Sequence, residues 1–500
     1  MLASLFAAVR FQLRRWIQKH AETIPSLFNS TLEELNHGLN GGHFTSVQLI
    51  RAYKARSKEV DDTFHAVIQW DPDSETIARA LDEERRSTCG SSVLLGIRLS
   101  FEAPTVQRLR RAGVIILGKA NVSEFAGFRS TNGTTAWSPR GGQATGIFYP
   151  NMKAFGSSSG SALSVGLGTA FASLGTETVS SIVGPAERSC VVGLKPTKDM
   201  VNSDGIIPVS PAQDTVGPIA KTVKDVAHIL SIMAEPAFDY SEYLGRPLTE
   251  ELRVGVLRKP DDMVDKHKLK AFNDGLARLR GAGAIIIDPV AIPGLEEYEN
   301  LSEAEKLVVL ETEFKVGLEE FLSSLAVNPR NIKSLGQLIE AIKHDPSERF
   351  PEWNVEIMER ADRTSRHSPT YATMRERQQY FASEGGIQGA LDNSGCHVLL
   401  AAEGSLTVQG FAAMAGSPAM SVPMGFYPPG TEAVTDERNG QVITGPNVPF
   451  SVYLYARRFE DAQMLRVAQA FESSTRINKK RKPYQVPAVD LIDFVRDSKL

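Results

Sequence analysis

The sequence predicts an α/β fold in which a large central sheet, mixed and mostly parallel, is covered by helices on both faces. Two stretches share one grammar that carries this expectation. Pro104 opens a helix that turns Val106, Leu109 and Ala112 inward and Arg108, Arg110 and Arg111 outward; Gly113 ends it, and Val114–Leu117 follows as a strand. Leu269–Leu279, then Gly281 and Gly283, then Ala284–Ile287 repeat the pattern. A continuous apolar run after a glycine stop suits a strand buried on both faces. The third observation is a set of further apolar runs, at Arg253–Leu257, His397–Ala401, Ala419–Pro423 and Ser451–Tyr455, the last leading into a helix from Glu460 to Glu472. The segment from about Pro293 to Phe381 reads instead as charge-rich helices, broken at Pro346 and Pro351, that cover the sheet or frame a pocket.

Composition narrows the function classes. Of 500 residues, 42% are hydrophobic and 23% charged, with 55 basic against 59 acidic side chains, the balance of a globular chain with a large core. A net charge of −4 supplies no basic field for a phosphate backbone, so nucleic acid is not expected as a partner. No window reaches the roughly 18 uninterrupted apolar residues of a membrane span. Cys89, Cys190 and Cys396 are odd in number and far apart, which fits neither a disulfide framework nor a metal cluster, and the histidines form no HExxH pattern. No metal and no cofactor are expected.

The first residues, with Arg10, Arg14, Arg15 and Lys19 and no acid before Glu22, carry the pattern of a mitochondrial presequence. The other reading is a helix docking Leu5, Val9, Leu13 and Trp16 on the body, with a cytoplasmic location. The domain expectation is an extension at 1–30, one large domain at 31–485 with its core at 155–230 and helical cover at about 293–381, and a tail at 486–500. The basic run Lys479–Lys482 reads as a solvated helix end.

The chemistry is concentrated between Phe155 and Thr197. A serine-rich loop, Gly156–Ser161, feeds directly into a helix of small and apolar residues, Ala162 to about Ala170, whose first amides point back at the loop. A short strand, Ala172–Gly175, leads to a second hydroxyl-rich turn with Thr176, Thr178, Ser180 and Ser181. Flexible linkers seldom run unbroken into an apolar helix, and two such turns separated by one helix and one strand can converge in space. Gly156–Gly160 also matches GxSxG, which would make Ser158 a nucleophile, but that elbow needs a strand immediately before it and Tyr149–Lys153 makes a poor one.

GSSSGSALSVGLGTAFASLGTETVSSI, followed by VVGLKPT and DGIIPVSPAQDTVGPIAKTVKDVAHIL, resembles the signature of the amidase signature family, and more closely its fungal members. The resemblance extends upstream through LRRAGVIILGKANVSEFAGF and downstream through AGSPAMSVPMGF, from about Thr31 to Glu472. It implies a hydrolase that cleaves carboxamides to carboxylate and ammonia or amine through a serine acyl-enzyme and a Ser–Ser–Lys triad, with a role in fungal secondary or nitrogen metabolism. On the motif match, Ser181 stands at the nucleophile position and Ser157 at the bridging serine, which has a cis peptide bond in the family. The backbone amides of Thr178, Val179, Ser180 and Ser181 stand where the family builds its oxyanion hole. The partner implied is a small-molecule amide, and a homodimer is compatible with the family.

Three departures separate this chain from the pattern. Ser180 replaces the glycine normally found before the nucleophile, and Val179 replaces a small or polar residue. The family lysine follows a Gly–Ile dipeptide, whereas here Leu95, Gly96 and Ile97 continue as Arg98, Leu99, Ser100, Phe101 and Glu102 into the Pro104 helix, with no lysine between Lys58 and Lys119. Lys119 and Lys195 match other family motifs. A guanidinium stays protonated and offers no lone pair, so Arg98 is no substitute base. The sequence thus predicts an amidase with an incomplete triad, whose alternatives are a binding scaffold without efficient turnover and a chain from which a coding segment has been lost.

Overall fold

Eight strands form the central sheet. In a computed structural model describing residues 24–71, 74, 90–133, 135–248, 252–259, 264–477 and 480–496, a small antiparallel pair, β1 (Val67–Trp70) and β2 (Gly118–Ala120), lies apart from it. The sheet itself contains β3 (Ala172–Glu177), β4 (Val192–Lys195), β5 (Thr215–Ala220), β6 (Arg253–Leu257), β7 (Ile285–Val290), β8 (Val398–Ala401), β9 (Ala419–Phe426) and β10 (Pro449–Ala456), in the order β7-β6-β8-β10-β9-β4-β5-β3.

Burial follows the strand period. On β8 and β10, Val398, Leu400, Val452 and Leu454 face a cluster containing Phe272 and Phe471 from the Lys266–Gly281 and Asp461–Thr475 helices. Their neighbours Leu399, Ala401, Tyr453 and Tyr455 face a second cluster with Phe381 and Phe411. Alternate residues serve opposite faces of a pleated strand, so a sheet covered on both sides needs an unbroken apolar run. The expected mixed α/β architecture is therefore present.

The expected direction of the strands is not. Only β6–β7 and β6–β8 pair in parallel, and the other five ladders of the sheet are antiparallel. An apolar run reports burial on two faces and carries no information about which way a neighbour points. A second correction concerns Val114–Leu117, which lacks regular structure. The ladder with β1 involves only Gly118–Ala120, and the Asp71 N–H donates to the Leu117 carbonyl as that partner strand leaves. Upstream, the Val114 amide turns back to the Leu109 carbonyl of the preceding helix rather than to a strand, and its side chain is left exposed.

The charge-rich segment forms the Glu303–Ser323, Leu335–His344, Glu356–Asp362 and Pro369–Ala382 helices. Phe314, Leu318, Leu338 and Met358 pack on Val93, Leu94, Ile97 and Phe125, so the cover sits on the chain that precedes the serine loop. Glu348 reinforces this seat. Its Oε1 accepts from the Ser91 hydroxyl and the Ser92 and Val93 amides, while Arg129 binds both Glu348 and Glu124. The amphipathic reading of the first residues and Cys89 lies outside the described residues, as does Lys479 in the basic run.

Candidate active site

The serine-rich loop and the second hydroxyl-rich turn meet. The helix after the loop runs Ser159–Leu167, starting three residues earlier than the sequence suggests and ending short of Ala170, where Gly168 takes a left-handed conformation (φ +66°) and stops it. All nine of its residues are buried. Gly160 fits only as glycine: a Cβ there would lie 2.4 Å from the Ala66 carbonyl oxygen and from the Asn121 amide nitrogen. That close approach lets the Gly160 amide donate to the Asn121 carbonyl and fixes the loop against β2.

Serine hydroxyls finish the edge of the sheet. β3 is the last strand, and on its open side Ser158 Oγ donates to the Thr176 carbonyl and accepts from the Thr176 amide, while Ser161 Oγ donates to the Leu174 carbonyl. The Ser158 amide donates to the Ser181 carbonyl at 3.0 Å, which ties the loop directly to the turn. Ser123 holds the loop from the other side, its amide donating to the Ser157 carbonyl and its hydroxyl to the Gly156 carbonyl.

Ser157 and Ser158 therefore differ. Ser158 is spent on backbone groups, whereas Ser157 Oγ is buried with no hydrogen-bond partner among the described residues. A buried unpartnered hydroxyl costs on the order of 1–3 kcal/mol. The peptide bonds of Ser157 are trans, contrary to the cis bond the family resemblance implies; cis bonds among the described residues occur only before proline. Ser181 is 9% exposed, at the mouth of the turn.

The turn itself, 178–181, is braced from behind. Ser180, which replaces the glycine of the family pattern, takes the left-handed conformation, with φ +64°. Glu177, the last residue of β3, folds its carboxylate over the turn, and its Oε2 accepts from the amides of Ile182 (2.6 Å) and Val183 (3.0 Å). The Ser180 amide also faces this carboxylate. The amides of Thr178, Val179 and Ser181 have no acceptor among the described residues. Of the four amides named from the sequence, three are thus unclaimed and one is turned toward Glu177.

Two carboxylates and a lysine near the turn were not singled out from the sequence. Burial raises the pKa of Glu177 despite nearby Lys195, and pushes Asp214 up to about 6 although Thr178 and two amides donate to it. Lys195 is fully buried, donates to the Ser417 carbonyl at 2.8 Å and is pulled down to about 8 by its burial. The signal was present as acids inside or beside apolar strands, TET before the turn and QDTVG before β5, positions that burial makes costly unless a partner is waiting.

Lys195 makes a testable contribution to stability. Its folded pKa lies below the unfolded value, so between about pH 8 and 10.5 the unfolded chain binds more protons and stability rises with pH. Urea unfolding of the wild type and Lys195→Met should show the wild type gaining on the variant across that window. A constant difference from pH 7 to 10.5 would contradict a charged, desolvated Lys195.

The sequence model of the Amidase family matches residues 83–403, more than half of the chain. The chain belongs to the amidase family. A putative amidase from Arthroderma benhamiae is 32% identical, covering 96% of this chain and 91% of that one, and a probable amidase from Arabidopsis thaliana is 28% identical over 91% and 92%. The crystal structure of the peptide amidase from Stenotrophomonas maltophilia superposes with a TM-score of 0.77 at 29% identity, over 90% of this chain and 97% of that one. The alignment with the Arthroderma protein extends over 556 positions, more than the 500 residues available here, so that amidase carries residues without a counterpart in this chain. Amidases hydrolyse small amides, and the class of this chain is that of an amide hydrolase. No helix among the described residues is long and apolar enough to cross a membrane.

Proposed function

We propose that this amidase attacks a small carboxamide with Ser181, forming an acyl-enzyme, and that Ser157 is the relay to a base the chain lacks. In the first step Ser181 Oγ bonds to the carbonyl carbon while its proton passes through the Ser157 hydroxyl to water; the C–N bond then breaks as that proton is returned to the departing amine, and a second water adds to the ester carbonyl, releasing the carboxylate and giving a proton back to Ser181 Oγ. The unclaimed amides of the turn suit the developing oxyanion.

The observation that carries this reading is the orphaned, buried Ser157 hydroxyl in the loop hydrogen-bonded to the Ser181 carbonyl. A relay needs a neighbour to receive its proton. Lys195 donates to the Ser417 carbonyl, Lys153 pairs with Asp436 and Lys221 donates to the Gly166 carbonyl. Turnover by the chain as it stands is accordingly slow. A fluorophosphonate should label Ser181 sluggishly, with intact-mass and peptide mapping placing the adduct there and Ser181→Ala abolishing it. An adduct on Ser158, or rapid labelling equal to that of a complete amidase, would overturn this assignment.

A further inference from the structure

A buried chain of hydrogen bonds leads from the Ser181 turn to the helical cover. Thr178 opens the turn, and its hydroxyl donates to Asp214 Oδ1. Asp214 Oδ2 accepts from the amides of Val209 (2.8 Å) and Ser210 (3.0 Å). The Ser210 hydroxyl then donates to Glu313 Oε2 on the Glu303–Ser323 helix, and Glu313 Oε1 stands 3.6 Å from Arg375 on the Pro369–Ala382 helix. Asp214, Ser210 and Glu313 are all buried.

The loop between these carboxylates has little freedom. Ile207 and Val209 belong to the same apolar cluster as Phe314 and Leu318 of the cover helix. A Cβ on Gly317 would come within 2.9 Å of Pro208, so this helix lies against the loop at glycine distance. Close-packed, hydrogen-bonded contacts of this kind have few intermediate arrangements, and a shift at one end is passed to the other.

We propose that Asp214 is a positioning residue: it fixes Thr178, and thereby the 178–181 turn, and through Ser210 and Glu313 it makes the shape of that turn depend on how the cover helix is seated. Its catalytic consequence rests on the reading of Ser181 as nucleophile, whereas the mechanical link does not. A substrate that displaces the cover would therefore alter the turn that binds its oxyanion.

Hydrogen exchange of the full-length chain, read by mass spectrometry, tests the link. Thr178→Val should speed exchange of the peptide spanning 178–183 by about tenfold, the scale of one lost hydrogen bond to a charged acceptor, while Thr178→Ser retains the wild-type rate. Ser210→Ala should speed exchange of the same peptide by about threefold, and the double variant should fall short of the product of the two effects. If Ser210→Ala loosens only 208–214 and the cover helix and leaves 178–183 unchanged, the proposal fails. Fluorophosphonate labelling of Ser181 should follow the same order of variants. Absent wild-type labelling combined with the expected exchange pattern would remove the nucleophile reading and leave the positioning role standing.

Discussion

Grafting an apolar strand ending in lysine, the segment that the family resemblance implies, between Ile97 and Arg98 is expected to raise amide hydrolysis by about a thousandfold or more, the range that a positioned base contributes. That position is the place to try because large apolar side chains flanking it in the chain stand exposed, Leu95 at 58% and Phe101 at 40%. An inserted apolar strand gives them something to cover. The Arg98 backbone is tied to the cover, its amide donating to the Val327 carbonyl and its own carbonyl accepting from the Ala326 and Val327 amides, so an insertion before it leaves the cover attached. The graft with its lysine changed to methionine is the control for folding. It should match the graft in thermal stability and the parent in rate, and Ser181→Ala in the active graft should return the rate to background. A graft that folds and shows no gain would mean that the orphaned Ser157 hydroxyl is not waiting for a base.

Much of the scaffold was legible because it rests on local signals. The strands at 253–257, 397–401, 419–423 and 451–455 and the Lys266–Gly281 helix were placed within a few residues, since apolar runs and glycine stops act over one turn or one strand. The meeting of the two hydroxyl-rich turns followed from the single helix and strand that separate them. What escaped depends on partners remote in sequence. Strand direction is decided by where the chain returns, and Val114–Leu117 failed as a strand because β1 pairs only from Gly118 onward. Asp214 finds Thr178 across 36 residues, and Ser210 finds Glu313 across 103. Neither pair has a periodicity that a sequence window could register, and at Ser157 the sequence named the residue while only the structure displayed its unpartnered hydroxyl.

Glu177→Ala should destabilise the protein by about 4 kcal/mol, because it strands two buried amides at once and leaves buried Lys195 with Asp461 as its remaining counter-charge. Glu177 is 2% exposed, so water cannot replace the carboxylate, and the amides it accepts from open the Val183–Arg188 helix immediately after Ser181. Against a total stability of about 5–15 kcal/mol, such a loss lowers the urea midpoint severely. Glu177→Gln separates the two causes. Its amide oxygen can still accept from Ile182 and Val183 but offers Lys195 no charge, so it should retain more than half of the lost stability if the backbone bonds dominate, and little of it if the charge does. The geometry favours the bonds: both amides lie within 3.0 Å of one carboxylate oxygen, whereas Lys195 makes its own hydrogen bond to Ser417. Fluorophosphonate labelling should then survive in Glu177→Gln and disappear in Glu177→Ala even under conditions where both remain folded, because Ser180 holds its left-handed turn against that same carboxylate.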